Sequence, residues 1–441
     1  MRFKVEVPGR GSSTPIVWGD SIFLLTAIPT GEGGRNDQRL APWQHDGSEV
    51  FEGESYRPAG EVLSFVVLAL DRASGRERWR TEVARALPHE GIHPTNTWAS
   101  ASPSTDGRRL IAFFGSRGLF GLDLDGELLW SRDLGEMATR NGWGEGASPA
   151  LVGDLVVIAW DHEGESFLAA FDADSGRQRW RVPRDEPSTW FTPVPAAVGD
   201  RRQVVTIGAH RVRGYDLGDG AVIWDGPGLG LNAIPTPLVH GGVAYLTAGY
   251  QEPVLLAVDL ERAAGAIDEA GGVEDAGSGN EGAGGAGRGG EVEGGESAGG
   301  EVEGGPLEPV EGAGGALLWT YRRDTPYVAS PLVVGDTLYL PKHLRGIVSL
   351  LDARTGERRL GPVRLPGIRN LYASPVAAGG RVYFAGREGV TVVVEHRDGA
   401  DRLEVLATNT LDDGFDASPA IVGDELYLRG RRYLYRIDAP P

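Results

Sequence analysis

Two histidines and a glutamate lie close together in the segment HEGIH, residues 89–93. This is the spacing of the zinc-protease motif H-E-x-x-H, in which the histidines bind the metal and the glutamate activates water. The motif requires an α-helix, because a helix places residues i and i+4 on one face. Here Pro88 and Pro94 flank the segment and Gly91 lies inside it, so a continuous helix is not expected. We therefore predict that HEGIH is a loop and not a zinc-protease site.

A second pattern extends over the whole chain and identifies the elements that position such a loop. Ser/Thr-Pro pairs recur every 44 to 46 residues, except at two places where the chain carries an insertion. A strand, a Gly-Asp or Gly-Gly turn and a second strand follow each pair, and a third and fourth strand follow with the pattern A-x-D-x-x-x-G-x-x-x-W. The pairs are Thr14-Pro15, Ser102-Pro103, Ser148-Pro149, Thr192-Pro193, Thr236-Pro237, Ser330-Pro331, Ser374-Pro375 and Ser418-Pro419.

Eight repeats of this length predict an all-β, eight-bladed β-propeller of four-stranded antiparallel blades, a single domain over residues 1–441. The last repeat ends after about three strands, and the N-terminal segment RFKVEVPG resembles the missing fourth strand. We expect this strand to pair into the last blade and close the ring, because closure removes exposed strand edges. The tryptophans that end the fourth strand in five repeats, Trp79, Trp130, Trp180, Trp224 and Trp319, are expected to pack between blades.

Two insertions interrupt the repeat. Residues 28–62 are predicted to form a loop in the first blade, between its second and third strands. Residues 262–315, in the fifth blade, hold 20 glycines, 12 acidic and 2 basic side chains and no aromatic residue. A segment of this composition cannot bury enough apolar surface to offset its ordering entropy, so we predict that it is disordered.

Composition excludes several classes of protein. The net charge is −19 and no basic stripe is present, which argues against nucleic acid and anionic membranes as partners. No apolar run approaches the length of a membrane span, and the first residues lack the apolar core of a signal peptide. The absence of cysteine excludes disulfides and thiolate chemistry. We expect a monomer without a membrane span.

The blade signatures, exemplified by ASPAIVGDELYL and AFDADSGRQRW, resemble those of the pyrroloquinoline-quinone-like (BamB-like) repeat family. The resemblance implies a place in the bacterial cell envelope or periplasm, and it implies one of two functions. One is a non-enzymatic binding or scaffolding propeller; the alternative is a dehydrogenase that uses pyrroloquinoline quinone and calcium. For the dehydrogenase, the oxygen ligands that could be imagined here are Glu145, Glu163, Asn232, Asp324 and Asp416.

No stretch around these five residues reproduces the motif of the quinone enzymes, and their adjacent cysteine pair is absent. We therefore predict a binding propeller without a cofactor, a bound metal or catalytic residues. A hydrolase or lyase built on Glu145 or Asp416 is a third hypothesis. The turn DHEGES, residues 161–166, is interpreted as a solvated turn in preference to a metal cluster.

In a propeller, the first strand of each blade lines the central channel, so the residues just before each Ser/Thr-Pro pair ring its mouth. Aromatic rings mixed with acids, amides and arginines are typical of a site for a protein partner or a small polar ligand. The candidates, which include the HEGIH loop, are His89, Glu90, His93, Asn96, Trp98, Trp143, Glu145, Trp190, Asn232, Asp324, Tyr327, Arg369, Asn370, Tyr372, Asp413 and Asp416.

Overall fold

The strands of the computed structural model, which describes residues 1–34, 58–267 and 315–438, form eight separate antiparallel sheets. Each sheet is one blade with four main strands. Blade 1 comprises β2 (Ile16–Trp18), β3 (Ser21–Gly33), β4 (Glu61–Asp71) and β5 (Glu77–Ala86), and blade 2 comprises β6 (Ser104–Thr105), β7 (Leu110–Phe113), β8 (Leu119–Leu122) and β9 (Leu128–Arg132). Blade 3 comprises β10 (Ala150–Val152), β11 (Leu155–Trp160), β12 (Phe167–Asp172) and β13 (Gln178–Pro183), and blade 4 comprises β14 (Val194–Val198), β15 (Arg201–Thr206), β16 (Arg211–Asp216) and β17 (Val222–Pro227).

Blades 5 to 8 repeat this arrangement. Blade 5 comprises β18 (Leu238–His240), β19 (Val243–Ala248), β20 (Val254–Asp259) and β22 (Leu317–Tyr321), and blade 6 comprises β23 (Leu332–Val334), β24 (Thr337–Lys342), β25 (Ile347–Asp352) and β26 (Arg358–Arg364). Blade 7 comprises β27 (Val376–Ala378), β28 (Arg381–Ala385), β29 (Val390–Glu395) and β30 (Val405–Thr410), and blade 8 comprises β31 (Ala420–Val422), β32 (Glu425–Arg429), β33 (Tyr433–Asp438) and β1 (Phe3–Glu6). Short 3-10 helices span Gly115–Arg117 and Arg140–Gly142.

The ring closes as the sequence predicts. Strand β1 pairs antiparallel with β33, with Phe3 opposite Arg436, so the N-terminal strand completes blade 8. The prediction of an all-β, eight-bladed propeller is confirmed. In the described parts of the chain, no helix is long and apolar enough to cross a membrane.

Both predicted insertions have strand residues at their ends. In blade 1, β3 continues to Gly33 and β4 begins at Glu61, so residues 28–33 and 61–62 extend a long hairpin. Inside the second predicted segment, β21 (Gly265–Ala266) adds to blade 4 as a fifth strand, parallel to β17. The rest of the two predicted segments, residues 35–57 and 268–314, lies outside the described residues.

The recurring Ser/Thr of the Ser/Thr-Pro pairs links neighbouring blades through hydrogen bonds. The Ser102 backbone N–H donates to the Ser148 hydroxyl at 2.9 Å, and the Thr14 N–H donates to Ser102 in the same way. The same bond joins each later blade to the next one as far as Ser418, at 2.9 to 3.3 Å. Each hydroxyl thus satisfies a partly buried backbone donor of the preceding blade, which explains why the repeat requires Ser or Thr there.

The repeated tryptophans pack between blades, as predicted. The Trp130 indole N–H donates to the Ala173 carbonyl of the next blade at 3.0 Å. Its ring covers Gly176, where a Cβ would lie only 2.5 Å from the indole. Trp79 and Trp180 make the equivalent hydrogen bond, also at 3.0 Å. The turn glycine of one blade therefore provides the space for the tryptophan of the previous blade.

Blade 7 lacks this contact. Ala407 lies opposite Val393 in the register that pairs Trp130 with Gly121 in blade 2. A cavity of about 620 Å³, lined by both residues, remains between blades 7 and 8. The contact between blades 7 and 8, called the seam below, is thus incompletely packed.

Filling this seam should stabilise the protein. The double substitution Val393→Ala with Ala407→Trp reproduces the small-residue and tryptophan pair of blades 1 to 5, and we expect it to raise the free energy of unfolding by about 1–2 kcal/mol through burial of the indole. Urea unfolding measures the change. Thr408→Trp, a substitution at an exposed neighbouring position, is the control and should give no gain. A double variant no more stable than this control would contradict the prediction.

Candidate functional site

The loops that precede the eight Ser/Thr-Pro pairs enclose a cavity of about 300 Å³. All eight blades contribute at least one lining residue, so the cavity lies on the axis of the ring; it is called the mouth cavity below. Seven of the predicted site residues line it: His93, Asn96, Trp143, Trp190, Tyr327, Tyr372 and Asp416.

Aromatic rings form two groups in the wall of the mouth cavity. On one side, the Trp143 and Trp190 centroids lie 6.4 Å apart, and His93 meets Trp143 edge-on at 5.8 Å. On the other side, the ring centroid of Tyr327 lies 5.2 Å from that of Tyr250 and 4.9 Å from that of His343. Such rings present large, rigid apolar surface and keep their polar edges available for hydrogen bonds.

The charged groups at the mouth are largely paired with one another. Asp416 accepts hydrogen bonds from Arg387 and from Arg431, the latter at 3.0 Å. The Arg387 guanidinium also lies over the Tyr372 ring, 4.2 Å from its centroid. This side of the mouth therefore combines an aromatic face with a paired carboxylate and two guanidinium groups.

The HEGIH loop is not helical and divides between two cavities. His93 faces the mouth, with its Nδ1 2.8 Å from the Thr95 hydroxyl. His89 and Glu90 instead line a small, more enclosed cavity of about 40 Å³, together with Trp98, Glu145 and Trp190; it is called the inter-blade cavity below. The space is sufficient for a water molecule or an ion.

Both glutamates of the inter-blade cavity are held by a backbone N–H and a hydroxyl of a single residue. Glu90 accepts from the Thr139 N–H at 3.1 Å and from its hydroxyl at 2.7 Å. Glu145 accepts from the Ser116 N–H at 2.8 Å and from the Ser116 hydroxyl. A Cβ at Gly115, where φ is +53°, would lie 1.3 Å from Glu145 Oε2, so only glycine admits this carboxylate.

Burial sets the protonation of this cluster. Desolvation raises the pKa of Glu90 to about 8, and it also raises the pKa of Glu145. The Glu145 carboxylate lies 4.0 Å from His89 Nε2. The Nε2 atom itself lies 2.7 Å from the Met137 carbonyl, an acceptor, which assigns the ring proton to Nε2. At the mouth, burial lowers the pKa of His93.

The other five predicted residues line neither cavity. Their side chains or backbone groups make contacts within the loops. Asp413 accepts from the Arg431 N–H at 2.9 Å and the Tyr433 N–H at 3.1 Å, and Asp324 lies 3.6 Å from Lys342. Glu388 accepts from the backbone N–H groups of Arg369 and Asn370, and the fifth residue, Asn232, is 1% exposed with φ +58°.

The DHEGES turn differs from the solvated turn that the sequence predicts. Asp161 forms a bidentate ion pair with Arg184, at 2.8 and 3.0 Å, and both side chains are 0% exposed. His162 is buried, and its Nδ1 accepts from the Ala138 N–H at 3.0 Å. The prediction was wrong for these two residues: Arg184, which directly follows the fourth strand of the blade, supplies the partner that makes burial of Asp161 possible.

The oxygen ligands considered for a calcium ion beside a quinone do not converge on one site. Glu145 lies in the inter-blade cavity, Asp416 is paired with two arginines and Asp324 with Lys342. Glu163 accepts from the Ser188 hydroxyl at 2.8 Å. Over the described ranges of the chain, the grouping of three His or acidic residues that could hold a metal is His89, Glu90 and Glu145. The residues present therefore do not fit the calcium of a quinone enzyme.

Sequence reasoning missed several residues of both cavities. Ser12, Ile234 and Val328 line the mouth at equivalent places before a Ser/Thr-Pro pair, so the repeat alignment could have identified them. Ser116 and Thr139 hold the two glutamates from loops without any motif, and no sequence signal identifies them.

Comparison with known proteins agrees with this architecture. A family model described as outer membrane protein assembly factor BamB matches residues 63–273 and 290–440. The crystal structure of BamB from Moraxella catarrhalis superposes with a TM-score of 0.58 at 13% identity, covering 98% of this chain and 96% of that one.

The computationally designed protein Ika8 superposes with a TM-score of 0.52 at 11% identity, covering 87% of this chain and 94% of that one. No curated protein gives a significant match in sequence. At these identities the two structures support the fold, and the match of the family model over most of the residues supports the family. The chain therefore belongs to the BamB family of pyrroloquinoline-quinone-like repeat propellers.

Proposed function

We propose that this chain is a non-enzymatic binding propeller whose mouth cavity receives side chains from a protein partner. The observation that carries the proposal is the axial cavity of about 300 Å³ walled by Trp143, Trp190, Tyr327 and Tyr372. Aromatic residues at the centre of an interface, surrounded by polar groups, are typical of binding hot spots. The family model is named for an outer membrane protein assembly factor, and we propose a partner from that process in the cell envelope.

The charges at the mouth support binding over catalysis. An enzyme based on Asp416 would need this carboxylate to accept a proton or attack a substrate, yet its oxygens already accept from Arg387 and Arg431. The cavity is also at the small end of the range for small-molecule sites. A loop or strand of a partner would fill it with one or two side chains and contact the surrounding loops with its backbone.

Substitutions in the mouth test this proposal. Peptides selected from a displayed library on the full chain are measured by isothermal titration calorimetry against variants of known thermal stability. We expect Trp143→Ala, and separately Tyr372→Ala on the opposite wall, to weaken binding at least about 10-fold. Trp18→Ala is the control, because Trp18 lies at the far end of its strand, beside the blade 1 hairpin turn, and is 47% exposed.

Two results would count against the mouth as the binding site. One is selected peptides that bind the Trp143 and Tyr372 variants as tightly as the unmodified chain. The other is a selection that enriches no peptide able to bind the full chain.

A further inference from the structure

We propose that His89, Glu90 and Glu145 bind a divalent first-row metal ion in the inter-blade cavity. One ligand atom from each residue lies within 4.8 Å of the other two. Ligand atoms of a tetrahedral zinc ion lie about 3.4 Å apart, since each bond is about 2.1 Å long. Binding therefore requires the three ligand atoms to approach one another by up to about 1.4 Å.

The ligands come from two different blade connections. His89 and Glu90 lie between β5 and β6, and Glu145 lies between β9 and β10. Neither carboxylate is on a mobile surface side chain, since Glu90 is 7% exposed and both are oriented by backbone N–H groups. Fixing the ligands before the ion arrives lowers the entropic cost of binding, which is the role of outer-shell hydrogen bonds in known metal sites.

The cavity provides a second, independent argument. It is more enclosed than the mouth cavity, it has room for an ion with a water molecule, and all three side chains line it. One imidazole nitrogen and two carboxylate oxygens, without any thiolate, suit Zn²⁺ or Mn²⁺ better than a soft metal. The nitrogen of His89 that binds the ion must exchange its present partner for it, either the Met137 carbonyl at Nε2 or Arg117 at Nδ1. This proposal replaces the expectation of no metal and makes a different use of HEGIH: its first two residues are ligands, and Glu145 takes the place of His93.

A bound ion would have a mechanical effect on the mouth. The two connections that it joins also carry His93, Asn96 and Trp143, which line the mouth cavity. Asn96 already bridges them by donating to the carbonyls of Trp143, at 2.9 Å, and Glu145, at 3.2 Å. The ion would add a second link between the same two connections. The site requires no partner in the mouth, so its test is independent of the proposed binding function.

The arginine that faces the cluster gives the proposal a specific signature. Arg117 Nη2 lies 3.3 Å from His89 Nδ1, and the guanidinium also pairs with Glu136 at 2.9 Å. Its positive charge opposes a second cation in the cavity. We expect Arg117→Met to strengthen metal binding, whereas a purely structural role of the cluster predicts no gain.

Titration of the full chain with the metal alone tests the site. After dialysis against a chelator, calorimetry with ZnCl₂ and with MnCl₂ should show one ion per chain, and Co²⁺ should give a visible absorption band. Glu90→Gln, Glu145→Gln and His89→Gln should each weaken binding at least about 10-fold and abolish the rise in thermal stability that the metal causes. His93→Gln, from the same motif but facing the mouth, is the matched control and should bind normally.

Three outcomes would overturn the proposal. The first is no ion retained by the unmodified chain. The second is equal affinity in the Glu90 and Glu145 variants, provided that circular dichroism shows them folded. The third is a loss in His93→Gln as large as the loss in His89→Gln, which would assign the metal to the mouth.

Discussion

Replacing Arg184 with methionine should destabilise the propeller by about 3–5 kcal/mol, because the substitution leaves the Asp161 carboxylate buried without a countercharge. Arg184 makes five hydrogen bonds from a fully buried position: two to Asp161, two to the hydroxyls of Thr206 and Tyr215, and one to the Ile207 carbonyl. In the variant, Asp161 keeps a donor in the Thr189 hydroxyl at 2.8 Å. One neutral hydrogen bond cannot replace the bidentate guanidinium. Urea unfolding measures the loss.

Two further variants separate burial from charge. The double substitution Asp161→Leu with Arg184→Met removes both charges, and we expect it to recover most of the lost stability, since apolar side chains fill such sites without a desolvation cost. Arg108→Met is the matched surface control: Arg108 also pairs with an aspartate, Asp174 at 3.0 Å, but its side chain is 67% exposed. This control should cost at most about 1 kcal/mol. Equal losses of stability in Arg184→Met and Arg108→Met would contradict the argument from burial.

The repeat explains why so much of the fold could be predicted. Each Ser/Thr-Pro pair and each fourth-strand tryptophan is a contact between neighbouring blades, as the Ser102–Ser148 and Trp130–Ala173 hydrogen bonds illustrate. Residues that recur at one period must occupy equivalent places in a closed ring, so the eight Ser/Thr-Pro pairs give the number of blades. The closing strand followed from the incomplete last repeat by the same reasoning.

The sites were less predictable because they depend on what is not repeated. Position in the repeat correctly indicated that the loops before each Ser/Thr-Pro pair meet at the axis. It could not indicate that His93 faces the mouth while Glu90, three residues earlier, faces a separate cavity, because the path of an irregular loop has no period. The Asp161–Arg184 pair was missed for a related reason: each residue alone is typical of a solvated turn, and only their contact permits burial.

His343 should make the protein sensitive to mild acid. Its ring is packed edge-on against Tyr327, and its Nδ1 is buried without a hydrogen-bond partner. Burial, reinforced by the charge of Lys342, lowers the pKa of His343 to about 4. The histidine in the unfolded chain has a pKa of about 6.5, so as the pH falls below that value the unfolded state takes up a proton first. Stability contributed by neutral His343 is therefore complete above pH 6.5 and is lost progressively toward pH 4.

The size of this loss follows from the difference between the two pKa values. Between pH 7 and 4.5 it amounts to about 2–3 kcal/mol, and it adds to the effect of protonating carboxylates. His343→Phe keeps the ring contact with Tyr327 but cannot titrate. Over this pH range its free energy of unfolding, measured with urea, should therefore fall by about 2–3 kcal/mol less than that of the unmodified chain. His240→Phe, at an exposed position on β18, should follow the unmodified chain. If the His343 variant instead declined in parallel with the unmodified chain, the buried imidazole would be protonated as easily in the folded state as in the unfolded one, and acid sensitivity would have to arise from the carboxylates alone.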